Sequence, residues 1–346
     1  MPKFSNSRYK NFFKNKTILV TGGTGSFGQE LSIRLLKENL LKKLIIFSRD
    51  EMKQYLMKKK LEKMKLTKKI RFFIGDIRDF ERVKLAFSDV NIVIHAAALK
   101  IVDTAEYNPI EFVKTNIYGA ENISRACIEN NVEKVIALST DKAVNPVNLY
   151  GATKLASDKL FIASNNLKRK NSNLKFSVVR YGNVVSSRGS VIPFFKDMVA
   201  NNTKYLPITD KEMTRFWITL SQSVDFVLNS LFLMNGGEIF IPKMPSFKIV
   251  DLAKAIAPKL PHKIVGIRPG EQIDDILCSN DEAHCNYEFK NLFIVMPTIT
   301  IDNININFYN SKLLKLAKKV NKDFSYNSRN NKNFLSIQNL KKRISE

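Results

Sequence analysis

The sequence predicts an α/β protein with a doubly wound parallel sheet and a smaller C-terminal lobe. Three observations carry this. Six short apolar runs alternate with helical stretches. The first run leads into a glycine-rich turn and an amphipathic helix. Polar residues gather where the runs end, and open α/β sheets bind their ligands at the carboxyl ends of strands. The predicted division is a nucleotide-binding domain over 1–182 and a substrate lobe with its tail over 183–346. Segments near 210–245 are expected to return to the first domain.

In chain order, residues 1–15 are polar and basic and read as a surface arm. The first strand covers 16–21 and enters Gly22-Gly23-Thr24-Gly25-Ser26-Phe27-Gly28, followed by a helix through Leu31, Leu35 and Leu36. Gly22 permits the tight turn, Gly25 lets backbone approach a pyrophosphate, and Gly28 lets helix and strand pack closely. The free N–H groups of the helix start favour phosphate. The second strand, 43–47, ends in Ser48-Arg49-Asp50 rather than in an acidic residue alone. A guanidinium there suits a 2′-phosphate, so NADP is favoured over NAD. The third strand, 70–74, ends in Gly75-Asp76-Ile77, and Asp76 is placed to accept from adenine. Asp79 reads as a helix N-cap.

The fourth strand, 91–94, ends in His95-Ala96-Ala97-Ala98, small residues against which a cofactor can lie, with Lys100 in the loop beyond. His95 reads as a packed strand-end residue. A long helix spans 111–130 with Asn116 toward the sheet. The fifth strand, 134–139, leads to Thr140-Asp141-Lys142 and then to a helix carrying Tyr150 and Lys154. Four residues apart, these two share a helix face. The Lys154 ammonium should lower the Tyr150 pKa and equip it as a base, while Asp141 and Lys142 add an acid and a second base. A sixth strand, 175–180, precedes Gly182-Asn183. Beyond it the expected elements are a loop over 187–193, helices over 194–200, 223–233 and 250–257, and strands near 213–217, 238–241 and 263–267. Arg188, Arg215 and Arg268 are candidates for a second diphosphate.

With 44% hydrophobic residues in a 346-residue chain, a full core is expected. The net charge of +24 suits an anionic ligand. The lysines are scattered, and no nucleic-acid-binding signature accompanies them. The cluster over 53–69 reads as the solvated face of an amphipathic helix. Cys127, Cys278 and Cys285 lack metal-ligand spacing, so no metal site is expected, and their scarcity points to a reducing, cytoplasmic setting. Neither a signal peptide nor a membrane insertion is expected.

Several stretches together resemble the extended short-chain dehydrogenases/reductases, and more closely the inverting UDP-N-acetylglucosamine 4,6-dehydratases, which open pseudaminic acid biosynthesis. They are Ser48–Glu51, His95–Lys100, Leu138–Ala143, Asn148–Lys154, Arg180–Val185 and Met213–Ile218. Lys142 separates this group from relatives with Thr-Asp-Glu or Ser-Ser/Thr-Ala at the cluster. The resemblance implies that Tyr150 takes the C4 hydroxyl proton while hydride passes to NADP. Lys154 holds the nicotinamide ribose, Lys142 takes the C5 proton, Asp141 protonates the departing C6 hydroxyl and Thr140 orients the 4-oxygen. It adds Glu51, Met52, Lys53, Val184, Val185, Ser186, Ser187 and Arg188 to the cofactor contacts. Lys100, Asn183, Val191, Arg268 and Glu271 are assigned to the UDP-sugar. A homo-oligomer, a hexamer by analogy, is also implied. Ile101, Ser186 and Gln272-Ile273-Asp274-Asp275 depart from the group's usual residues. The competing readings are a UDP-hexose 4-epimerase, a non-inverting dehydratase, and a cofactor-bound scaffold without turnover. A scaffold would need none of Tyr150, Lys154, Asp141 and Lys142.

Overall fold

A computed structural model describes residues 7–168, 172–185, 190–268, 270–298 and 317–345. Its centre is a ten-stranded sheet. The strands are β1 (Thr17–Thr21), β2 (Lys43–Ser48), β3 (Ile70–Ile74), β4 (Ile92–His95), β5 (Lys134–Thr140), β6 (Lys175–Tyr181), β7 (Ile239–Pro242), β8 (Asn286–Glu288), β9 (Leu292–Val295) and β10 (Lys318–Lys319). Their order is β10-β8-β9-β7-β6-β5-β4-β1-β2-β3. From β3 to β7 all neighbours are parallel, and the remaining three strands add antiparallel. The parallel strands are buried on both faces, which is why β1, β4 and β5 read as continuous apolar runs. The strand order reverses between β1 and β4, the position at which such sheets open a ligand crevice.

The six expected strands agree with the structure to within a residue at each end, and three other expectations do not. Residues 7–13 are no surface arm. They form the helix Ser7–Phe13, whose Tyr9 and Phe13 are fully buried and pack on each other, with Tyr9 and Phe12 against Phe232. The expected helix over 111–130 is broken: a π-helical turn, Val113–Tyr118, separates Pro109–Phe112 from Gly119–Glu129. Such turns are rare and often sit at functional sites. Residues 191–193 belong to the helix Val191–Ala200 rather than to a loop; Pro193 is tolerated in its first turn.

The second half returns to the sheet over more than 210–245. Helix Leu220–Leu233 packs on helix Ser26–Glu38, β7 joins β6, and β8, β9 and β10 extend the same sheet. A separate apolar cluster around Trp217, Phe247, Leu252 and Leu340 forms the core of the smaller lobe. Among the described residues, no helix is long and apolar enough to cross a membrane. Among the same residues, no group of three or more His, Cys, Asp and Glu side chains is placed to hold a metal.

Candidate active site

A cavity of about 420 Å³ opens over the carboxyl ends of the parallel strands. One wall is the glycine turn. The Gly22 N–H donates to the Phe47 carbonyl, and the Gly25 N–H to the Gly22 carbonyl. At Gly22, φ is +64°, and a Cβ would stand 2.8 Å from the Ala97 backbone. At Gly28 a Cβ would come within 2.5 Å of Gly23. Side chains are excluded from both positions, so Gly22 lets the turn pack on the end of β4 and Gly28 lets the helix pack on the turn, as the sequence implies. Thr24, Gly25, Ser26 and Phe27 line the wall, and helix Ser26–Glu38 starts there with Gly25 as N-cap and no side-chain capping bond. The residues fit a bound dinucleotide.

Ser48, Arg49, Asp50 and Lys53 line the rim. Arg49 lies 3.6 Å from Asp76, which also takes hydrogen bonds from Arg78. Burial pushes the Asp76 carboxyl up, but the bonds and charge of Arg78, helped by Arg49, hold its pKa below the ordinary value. Asp76 therefore tethers arginines as well as facing the cavity, and Ile77 lines the cavity beside it. Asp50 caps helix Glu51–Lys63 by accepting from the Lys53 N–H, and Asp79 caps the next helix as expected. Glu51 and Met52 point away as exposed first-turn residues and do not line the cavity. In this helix Gln54, Met57 and Leu61 are buried while Leu56 faces solvent with the lysines.

The floor holds Ala96, Ala97 and Ala98, with His95 packed beneath them. Thr21 Oγ1 and His95 Nδ1 are 2.8 Å apart, and burial, helped by the Lys154 charge, lowers the His95 pKa to about 3. His95 is thus a neutral packed residue. Lys100 stands at the mouth, its ammonium pKa lowered by desolvation. The π-helical turn places Asn116 against the Leu99 backbone through two hydrogen bonds, and Asn116 Nδ2 also donates to Thr153 Oγ1. This clamp fixes the 98–100 loop relative to the helix bearing Tyr150.

That helix, Leu149–Leu167, starts at Asn148, whose Oδ1 accepts from the Gly151 N–H. A Cβ at Gly151 would meet the Lys142 carbonyl at 2.1 Å, so only glycine lets the helix close on the Thr140–Lys142 turn. The result is a tight cluster. Thr140 Oγ1 donates to Asp141 Oδ1 at 2.9 Å, and Lys142 Nζ donates to Asp141 Oδ2 at 2.8 Å. Asp141 is 1% exposed. Burial pushes its carboxyl up, but the Lys142 charge and hydrogen bond, with bonds from Asp275 and Thr140, bring its pKa below the ordinary value. Tyr150 and Thr140 line the cavity together.

The expected fall in the Tyr150 pKa is not seen. Burial drives it up, the nearby Asp141 and Asp158 charges add to that, and a hydrogen bond with Thr140 only partly offsets them. Lys154 is buried behind Tyr150 and donates to the Leu138 carbonyl at 2.8 Å. Burial lowers the Lys154 pKa against the pull of Asp158.

The far wall comes from the second half of the chain. Asn183 and Val184 line it; Val185 joins through its N–H to Ile218, and Ser186, Ser187 and Arg188 lie outside the described residues. Val191 starts a helix of the smaller lobe, and Arg268 sits 3.5 Å from Glu271. None of these three lines the cavity. Their loop is nonetheless tied to the site, because Asn148 Nδ2 donates to the Gly270 carbonyl at 2.7 Å. Arg215 is not free for a diphosphate. It is 8% exposed, and its guanidinium donates to the Thr214, Gln272 and Ile273 carbonyls beside Asp275. Asp275 and the Arg180–Glu282 pair carry no local signal in the sequence, because each works through a partner more than 15 residues away.

The fold is that of the extended short-chain dehydrogenases/reductases. The chain belongs to the polysaccharide biosynthesis protein family, whose profile matches residues 18–297. It is 54% identical over 328 residues, 95% of this chain and 97% of the relative, to a Campylobacter jejuni subsp. jejuni protein (strain 81-176) named UDP-N-acetylglucosamine 4,6-dehydratase (inverting). It is 41% identical, over 95% of both chains, to a Rickettsia bellii protein named UDP-glucose 4-epimerase. The solved structure of Pen from Bacillus thuringiensis superposes with a TM-score of 0.85 at 34% identity, over 96% of this chain and 98% of that one.

Proposed function

We propose that this protein is a configuration-inverting UDP-N-acetylglucosamine 4,6-dehydratase that uses and recycles NADP in the cytoplasm. The observation that carries the reading is the Asp141–Lys142 pair, 2.8 Å apart, with Asp141 buried and Lys142 half-buried, at the end of β5 behind Thr140 and Tyr150, which line the cavity. Loss of water across C5 and C6 needs a base at C5 and an acid at the C6 oxygen together. One proton moved from Lys142 Nζ to Asp141 Oδ2 converts the ion pair into a neutral amine and a carboxylic acid.

Lys142 then removes the C5 proton, which a ketone at C4 acidifies. The electrons of the C5–H bond form the C5–C6 double bond, and Asp141 protonates the C6 hydroxyl as it departs as water. Tyr150 accepts the C4 hydroxyl proton, with Thr140 holding the oxygen beside it. A bound nicotinamide cofactor would supply the hydride acceptor for C4, the hydride returned to C6, and a positive charge that favours a Tyr150 phenolate; as C6 takes the hydride, C5 takes up a proton on the face opposite the one deprotonated, which inverts the centre. Lys154 adds its own charge beneath Tyr150. Arg49, tethered by Asp76 at the rim, supports NADP through its fit to a 2′-phosphate. Asn183, Arg268 and Glu271 form the UDP-sugar side of this reading, supported by the bond from Asn148 to Gly270. A homo-oligomer is supported by the exposed apolar side chains Ile101, Tyr107, Ile110 and Tyr118.

The test is NMR of purified protein with UDP-N-acetylglucosamine in deuterated buffer and no added cofactor. The expected product is a 4-keto-6-deoxy sugar with deuterium at C5 and inverted configuration. An isomeric hexose would instead support an epimerase, the name carried by the Rickettsia relative. A keto product with C5 retained would remove Lys142 from its role.

A further inference from the structure

Asp275 faces Asp141 from the second half of the chain and has no part in the mechanism so far. It is fully buried. Its Oδ2 accepts from the Phe216 N–H at 3.2 Å. Its backbone is held on both sides by Ser328, which gives a backbone N–H to the Asp275 carbonyl and takes the Asp275 N–H on its hydroxyl. Oδ1 differs: it is buried and receives no N–H or O–H donor. Arg215 Nε approaches it to 3.5 Å but gives its other N–H groups to backbone carbonyls. A buried carboxyl oxygen without a donor is costly, and more so when it faces a second carboxyl. One proton between the two carboxyls removes both costs.

We propose that Asp275 carries a proton and donates it as a hydrogen bond to the neighbouring Asp141, so stabilising the carboxylate that remains when Asp141 gives its proton to the leaving hydroxyl. Asp275 is then a positioning residue that sets the strength of the acid without touching the sugar. The proposal rests on the dehydratase reading above. The charged groups facing Asp275 agree with it. Asp141, across the gap, raises its proton affinity; Arg215 and Lys142 oppose, and burial, the largest influence, places its pKa at about 7. Above that pH a second negative charge would stand against the developing Asp141 carboxylate, and water loss should slow. The neighbouring acid Asp274 is engaged elsewhere, with Arg329 and Thr214.

The experiment is kcat against pH for the wild type and for Asp275→Asn in the full chain. The amide keeps a donor toward Asp141 and cannot titrate. The wild type should lose activity above about pH 7, while Asp275→Asn should stay within about threefold of the wild-type plateau, as expected when one hydrogen bond is kept, and show no such break. A folded Asp275→Asn that keeps the break, or that loses roughly a hundredfold or more in kcat, a loss typical of a removed acid, overturns the proposal. If Asp275→Asn fails to fold, infrared spectra of the wild type decide. A protonated-carboxyl band at pH 6 that vanishes by pH 8.5 supports it, and absence of the band contradicts it. A wild type that forms no 4-keto-6-deoxy product would refute the dehydratase reading instead, and the infrared band would still report on Asp275.

Discussion

The two walls of the cavity are built in opposite ways. The cofactor wall is local: each of its residues follows the strand that positions it within a few positions, as Gly22 to Gly28 follow β1 and Arg49 follows β2. The wall behind Asp141 is assembled from segments far apart in sequence. Asp275 reaches it from beyond residue 270, Arg215 from the strand Thr214–Phe216, and Ser328 from near the end of the chain. Local walls depend on backbone conformation and glycine. Assembled walls depend on buried charge, where an unmatched group is expensive.

That contrast can be broken by substitution. The largest effect on stability is expected at the assembled side. Arg180 is 1% exposed, with Glu282 at 2.9 Å and Asp158 at 3.8 Å. Glu282→Ala should destabilise by about 3 kcal/mol in urea unfolding, because it strands a buried guanidinium. Glu111→Ala removes an exposed partner of Arg78 and should cost under about 1 kcal/mol. Equal losses would erase the distinction between the two kinds of contact. A smaller and more selective effect is expected on the local side. Arg49→Asp should weaken NADP at least about tenfold more than NAD in titrations, since only NADP presents the phosphate that a guanidinium grips. Equal weakening would count against Arg49 as the 2′-phosphate ligand.

The same contrast explains what could be read from the sequence. β1, β2, β4, β5 and β6 are buried parallel strands and announce themselves as apolar runs, and the edge strand β3 is as apolar though half exposed. The glycine turn is legible because close backbone packing there admits nothing larger, as the 2.8 Å approach at Gly22 demonstrates; the equally tight fit at Gly151 is seen only in the structure. The helix Ser7–Phe13 was not legible, because two buried aromatics among lysines and asparagines look like a solvated arm until Phe232 is placed beside them. Arg215 looked free for a diphosphate because its acceptors are backbone carbonyls, which sequence does not display. The Tyr150 pKa was misjudged for a related reason. The helix period brings Lys154 near, but the burial of the phenol and the charge of Asp141 are tertiary facts.

The most direct test of the central claim, that Asp141 and Lys142 act as one acid–base pair, is C5 proton exchange in Lys142→Ala. UDP-N-acetylglucosamine is incubated with the cofactor-loaded variant in deuterated buffer, and deuterium at C5 is followed by NMR. The account predicts retained cofactor, an intact fold, and C5 exchange lowered by roughly a hundredfold or more, the usual worth of a general base. Exchange at the wild-type rate would contradict the account and require another base at C5.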